Sequence, residues 1–167
     1  MIPKETTTRV GIGYDVHKLV SNRKLIIGAV SIDSVLGALG HSDADVLIHA
    51  IADALLGAAA LGDIGYHFPD TDKKNEGMSG SVLLSEVVRL IHLKHFSIVN
   101  IDSTVILQSP KIASHINEMR KNISQILDVD ISKVSVKATT TEKLGFIGRN
   151  EGIAAEAIVL LDCQVIS

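Results

Sequence analysis

The 167 residues fit one domain, whose usual length is about 100–200 residues, and suffice to enclose a sizeable core. Hydrophobic residues make up 46% while aromatic residues make up 3% and Trp is absent, so that core is built from Ile, Leu, Val and Ala, with helices packed closely on a sheet. A net charge of −3, from 16 basic and 19 acidic residues, excludes the broad basic footprint of a nucleic-acid binder. Any anion site has to be local.

Residues 9–13 and 23–32 (RKLIIGAVSI) read as strands separated by a polar turn at Ser21 and Asn22, and are expected to pair as neighbours. From Asp43 the pattern becomes a helix, DADVLIHAIADALLGAAAL, with Ser42 or Asp43 as N-cap and Gly62 as stop signal. Residues 65–80 are loop, too polar and broken for a core element and long enough to suggest a functional role. A second helix is expected over residues 81–95, with Leu84, Val87, Val88 and Ile91 as its apolar stripe. In SIVNIDSTVILQ, Val99, Ile101, Val105 and Leu107 alternate with polar residues, which predicts a strand with one packed face and one facing water or another subunit. A third helix is predicted to open at Ser109-Pro110, with Ile112, Ile116, Met119, Ile123 and Ile126 along one side. Strands near 133–138 and 152–162 flank the loop TTTEKLGFIGRNEG. The sum is an α+β fold, a mixed sheet with helices packed on one face.

Cys163, the single cysteine, cannot form an internal disulfide, which suits a reducing compartment. The opening MIPKETTTRV lacks the apolar centre of a signal peptide, and no apolar run approaches the ~18 residues of a membrane span. The expected setting is cytoplasmic, with neither membrane nor nucleic acid as partner.

In GIGYDVHKL, Asp15 and His17 sit at i and i+2 of a strand and share a face. A third ligand from the first helix, where Asp45, His49 and Asp53 form a row at spacings of four, would complete a metal site. Two imidazoles and a carboxylate suit Zn²⁺, and three protein ligands leave a fourth position open. The competing reading makes the helical His a hydrogen-bonded core residue. In LGHSDAD, His41 and Ser42 precede the same helix, where free N–H groups and the helix dipole favour phosphate; an ordinary cap is the alternative. KATTTEKLGFIGRNEG offers three hydroxyls, Arg149, and Glu142 as ligand for a hard cation. Lys111, in the first turn of the expected third helix, opposes the local dipole and suggests an anionic partner. Asp63, Asp70 and Asp72 suit polyol hydroxyls or plain turn chemistry.

Taken together, GYDVH, GHSDADVLIHAIADALLGAAALGDIG, FPDTD, the SPK turn and KATTTEKLGFIGRNEGIA resemble, in the same order and across nearly the whole chain, the 2-C-methyl-D-erythritol 2,4-cyclodiphosphate synthase family of the non-mevalonate isoprenoid pathway. The resemblance implies a homotrimer with active sites between subunits. It implies metal-dependent conversion of 4-diphosphocytidyl-2-C-methyl-D-erythritol 2-phosphate to the 2,4-cyclodiphosphate with release of CMP. By the same resemblance Asp15, His17 and His49 hold Zn²⁺, Glu142 holds Mg²⁺ or Mn²⁺ at the diphosphate, and His41 and Thr140 are catalytic. Ser42 contacts phosphate, while Asp63, Ile64, Gly65, Phe68, Pro69, Asp70, Thr71 and Asp72 surround the methylerythritol part. Leu107, Gln108, Ser109, Pro110, Lys111, Ile112 and Ala113, with Ala138, Thr139, Thr140 and Thr141, frame the nucleotide. Phe146 and Arg149 complete the substrate-binding set and lie, with Tyr14 and Glu151, near the trimer axis, where some members bind isoprenoid diphosphates. Tyr14 stands where the family often has Phe, and Ala44 where Gly is usual; neither change removes a ligand. Two other readings compete: a zinc phosphohydrolase acting on nucleoside diphosphate esters, and a non-catalytic trimeric module that binds an isoprenoid.

Overall fold

A computed structural model describes residues 7–163 apart from positions 70 and 76. Strand β1 (Thr7–Ser21) is followed by the short strands β2 (Leu25–Ile27), β3 (Val30–Ile32) and β4 (Leu36–Ala38), then helix α1 (Val46–Ala58) and the one-turn α2 (Ile64–His67). Helix α3 (Gly80–Leu93), strand β5 (Phe96–Ile106), helix α4 (Ile116–Leu127), strand β6 (Val134–Thr139), the one-turn α5 (Gly145–Gly148) and strand β7 (Gly152–Cys163) complete the chain. Five strands form one mixed sheet in the order β4-β1-β7-β5-β6, in which only β5 and β6 run parallel.

Helix α1 is the centre of the core. Every residue in it is buried except Asp53 and Gly57. An all-round apolar helix needs partners on opposite sides, and it packs against β1 and β7 below and α3 beside it. On β1 the residues Gly11, Gly13, Asp15, His17 and Leu19 face the helix, while Val10, Ile12, Tyr14, Val16 and Lys18 face away and are exposed. A Cβ at Gly11 or Gly13 would overlap the carbonyl oxygens of Ala54 and Ala50 respectively, so the glycines bring strand and helix backbones together against an alanine row at 50, 54 and 58. Two strand residues advance about 6.7 Å and four helix residues about 6 Å, so the two periodicities stay in step over this contact.

Five expectations need correction. The strands near 9–13 and 23–32 do not pair with each other: β1 pairs with β7 and β4, and residues 25–32 form the separate β2-β3 hairpin. That hairpin is held by Asp45, whose carboxylate accepts from Gly28 N and Ala29 N, and it is this residue, not Ser42 or Asp43, that caps α1 at Ile48 N. The third helix begins at Ile116 rather than at 109–110, after a turn containing a cis Ser109-Pro110 bond, so Lys111 does not lie on it. Val99 is outward-facing because the ladder to β7 is irregular between Ile98 and Asn100, which puts Ile98 and Ile101 in the core on either side of it. The segment expected as loop also holds the helical turns at 64–67 and 73–75. The α+β class and the mixed sheet covered by helices on one face stand as expected.

Gly13→Ala is expected to cost about 1–3 kcal/mol or more by overpacking, whereas Gly57→Ala, whose added methyl meets only the Ile12 carbonyl at 3.9 Å, should gain about 0.5–1 kcal/mol of helix propensity. Chemical denaturation of both variants checks the pair, and equal effects would contradict the close approach of β1 and α1.

Candidate metal centre and its cavity

Where the glycine-alanine contact ends, the strand presents Asp15 and His17 to the next turn of α1, which carries His49. Asp15 Oδ2 lies 2.8 Å from His17 Nε2 and 3.0 Å from His49 Nδ1, and the two ring nitrogens are 3.2 Å apart. The three atoms form a nearly equilateral triangle. A tetrahedral Zn²⁺ with ligands at about 2.0–2.1 Å has edges of about 3.3 Å between ligand atoms, so the triangle closes around such an ion with a shift of a few tenths of an ångström. The donor set leaves one tetrahedral corner for a substrate oxygen.

The site is oriented from behind. His17 Nδ1 lies 3.1 Å from the Leu39 carbonyl, which fixes its proton on that nitrogen and turns Nε2 inward. Leu39 is itself held by its N–H on the Lys18 carbonyl at 2.8 Å, and Arg23 grips the next carbonyl, Gly40, at 2.6 Å. Burial pushes the Asp15 carboxyl up, but the hydrogen bonds and charges of His17 and His49 together carry it far below the usual carboxylate range. For His17 burial works against the charged form, yet the Asp15 hydrogen bond and charge, with the Leu39 carbonyl, raise its pKa above the ordinary 6.5.

Of the two other acids in the helical row, neither reaches the triad. Asp45 is fully buried as cap and hairpin anchor, and burial pushes its carboxyl up to about 6 against the three N–H groups it accepts. Asp53 accepts from Ile64 N at 2.8 Å.

A cavity of about 670 Å³ opens beside the triad. Of the residues expected to hold substrate, His41, Ser42, Ile64, Gly65, Phe68 and Pro69 line it. His41 and Ser42 do so from the bend that precedes α1, since the helix N-terminus itself is closed by Asp45. Asp63, Thr71 and Asp72 are not on its wall: Asp63 accepts from Tyr66 N at 2.8 Å and Asp72 pairs with Lys74 Nζ at 3.1 Å, both turn chemistry. Asp70 lies outside the described residues. Asn75, Met78 and Leu83 also line the cavity and were not singled out from the sequence. The one available signal was their place in or just after the long polar loop.

The remaining expected residues form a second cluster. The C-terminal ends of β5 and β6 lie side by side, with Leu107 N donating to the Thr139 carbonyl at 3.0 Å. Gln108 Oε1 accepts from Lys143 N at 3.0 Å and Ser109 Oγ donates to Asn150 at 2.8 Å, joining residues 107–113 to the 139–150 loop. Thr140 Oγ1 donates to Glu142 Oε1 at 3.0 Å. None of residues 107–113 or 138–142 lines the cavity of the triad within one chain. Phe146 borders a different depression with Val16, Lys18 and Glu151, and Arg149 is paired with Glu151 at 2.9 Å.

A metal at the triad competes with protonation of His17, so Zn²⁺ affinity is expected to fall about tenfold per pH unit once pH drops below the raised His17 pKa. His49→Ala should lose Zn²⁺ binding at every pH. Titration with a competing chelator at pH 6 to 8 checks both, and pH-independent binding would contradict the assignment.

The model of the YgbB family matches residues 8–162. The 2-C-methyl-D-erythritol 2,4-cyclodiphosphate synthase of Alkaliphilus oremlandii (strain OhILAs) is 64% identical over 150 residues, covering 90% of this chain and 96% of that one. Among solved structures, the bifunctional IspDF of Campylobacter jejuni aligns with a TM-score of 0.92 at 44% identity over 96% of this chain, which spans 43% of that longer protein. IspF of Plasmodium falciparum in complex with CDP aligns with a TM-score of 0.83 at 38% identity, covering 94% of this chain and 97% of that one. With sequence and fold shared over almost its full length, the chain belongs to the YgbB family.

Proposed function

We propose that this chain closes 4-diphosphocytidyl-2-C-methyl-D-erythritol 2-phosphate into 2-C-methyl-D-erythritol 2,4-cyclodiphosphate and releases CMP, as its relatives' name implies for them. The observation that carries the reading is the triad of Asp15, His17 and His49 at the edge of a cavity large enough for a phosphorylated polyol.

The chemistry asks for no strong base. The nucleophile is the substrate's own 2-phosphate, which is mostly dianionic at neutral pH because its second pKa is about 6. Attack on the β-phosphorus forms the ring P–O bond while the bond to the CMP oxygen breaks, and CMP leaves with that electron pair. Positioning and charge stabilisation supply the rate. Divalent ions held by Asp15, His17 and His49, and by Glu142, would neutralise charge on the diphosphate. A single exposed carboxylate such as Glu142 suits Mg²⁺, which usually binds through one or two carboxylates plus substrate phosphates. Ile64, Gly65, Phe68 and Pro69 would hold the methylerythritol part. His41, Ser42 and Thr140 would hold phosphate oxygens as charge develops. Exclusion of water by the cavity wall matters, since water at the same phosphorus gives hydrolysis.

Assembly is part of the proposal. The sheet face turned away from the helices exposes Val10 (69%), Ile12 (71%), Tyr14 (53%), Val16 (42%) and, on β7, Ile158 (51%), a contiguous apolar patch that marks an interaction surface. The nucleotide cluster of residues 107–113 and 138–141 lies off the triad's cavity within one chain. A homotrimer packed through this face, with each site shared between neighbours, answers both facts. Near its axis Phe146 and the Arg149–Glu151 pair would offer an isoprenoid diphosphate an apolar wall and a cation. No helix among the described residues is long and apolar enough to cross a membrane, and a cytoplasmic setting belongs to the same reading.

Phosphorus NMR of the reaction mixture tests the activity: the cyclic diphosphate and CMP are expected. Inorganic phosphate or linear methylerythritol phosphates without cyclic product would favour a phosphohydrolase instead. Glu142→Gln is expected to lower turnover at least about tenfold while leaving Zn²⁺ at the triad, the loss of one charged metal ligand.

A further inference from the structure

Asp53 stands one helical turn beyond His49 on the same side of α1. From sequence it competes with His49 as a metal ligand; in the structure its Oδ1 accepts the backbone N–H of Ile64 instead. Ile64 opens α2, four residues long with no buried side chain, and Ile64 and Gly65 form one wall of the cavity. So short a helix does not hold itself together. Ile64 and Phe68 pack only partly against the core, and besides the backbone bonds of the turn three side-chain hydrogen bonds hold it, each at 2.8 Å: Asp53 accepts from Ile64 N, Asp63 accepts from Tyr66 N, and His67 Nε2 donates to the Leu61 carbonyl. Only Asp53 among them comes from the element that carries a metal ligand. Burial raises the Asp53 pKa, the Ile64 N–H draws it back, and the charges of Asp63 and Asp15 push it up again.

We propose that Asp53 is a positioning residue: by gripping Ile64 it locks the Ile64–Gly65 wall to the helix bearing His49, so that the methylerythritol part of the substrate and the metal centre keep one spacing. The inference rests on the assignment of that wall to the methylerythritol part. Spacing matters here because a misplacement of about 1 Å in such a reaction can cost about a hundredfold in rate. The nucleophilic phosphate and the target phosphorus belong to one molecule, and the wall decides how that molecule folds back on itself.

The test compares the wild type with Asp53→Ala and Asp53→Asn in ring closure, Zn²⁺ titration and amide hydrogen exchange at Ile64 and Gly65. Asp53→Asn retains an oxygen acceptor for the Ile64 N–H. Asp53→Ala is expected to lower kcat/KM about 10–100-fold, the worth of a hydrogen bond to a charged group, mostly through kcat. It should also speed exchange at Ile64 and leave Zn²⁺ affinity unchanged. Asp53→Asn should recover most of the activity and of the protection. Equal loss in both variants would overturn the proposal, since the charge rather than the grip would then matter. So would a parallel loss of Zn²⁺ binding in Asp53→Ala, which would make Asp53 a support of the whole helix, or unaltered exchange at Ile64. A wild type that makes no cyclic product would defeat the functional reading alone, and exchange at Ile64 would still decide the grip.

Discussion

The contact on which the site depends is the approach of the β1 backbone to the α1 backbone. Gly11 and Gly13 have no room for a side chain, and an alanine row at 50, 54 and 58 meets them. This closeness fixes the height of α1 above the sheet. One step further along both elements the side chains become Asp15, His17 and His49, and the same spacing leaves room for three ligand atoms 2.8–3.2 Å apart. A packing constraint thus sets a coordination distance. Metal sites built on rigid strands and helices hold their geometry better than sites on loops.

Around that contact the acidic residues act mostly as backbone acceptors. Asp45 collects three N–H groups and joins the hairpin to α1, Asp43 takes the N–H of Gly80 at the start of α3, and Asp53 takes Ile64 at the start of α2. The α1 segment therefore organises the cavity walls at several points while contributing one ligand to its centre. An acid-rich motif that looks catalytic from its composition is here largely scaffolding, and the chemistry concentrates in the few side chains left facing the cavity.

This explains what was legible in the sequence. Periodicity located the helices and the sheet class, because an apolar helix such as α1 and an alternating strand such as β5 carry their burial pattern locally. The pairing of β1 with β7 was not legible, since it joins residues some 145 positions apart by long-range packing that no local pattern encodes. The bulge at Val99 was hidden because an apolar residue there keeps the alternation intact. Asp45 outcompeted Ser42 and Asp43 as cap because it serves the hairpin as well, a tertiary reason. The triad's members were each visible as candidates, but choosing His49 over Asp45 and Asp53 needed either the family resemblance or the fold. Asn75 carried no signal of its own.

In the proposed assembly one chain supplies the metal ligands and a neighbouring chain the nucleotide cluster of the same site. An anomalous-scattering map at the zinc edge, from crystals grown with Zn²⁺ and CMP, tests it most directly. A peak is expected at about 2.0–2.1 Å from Asp15, His17 and His49, with CMP held against residues 107–113 and 138–141 of an adjacent chain. A peak elsewhere, or CMP bound wholly within one chain, would contradict it.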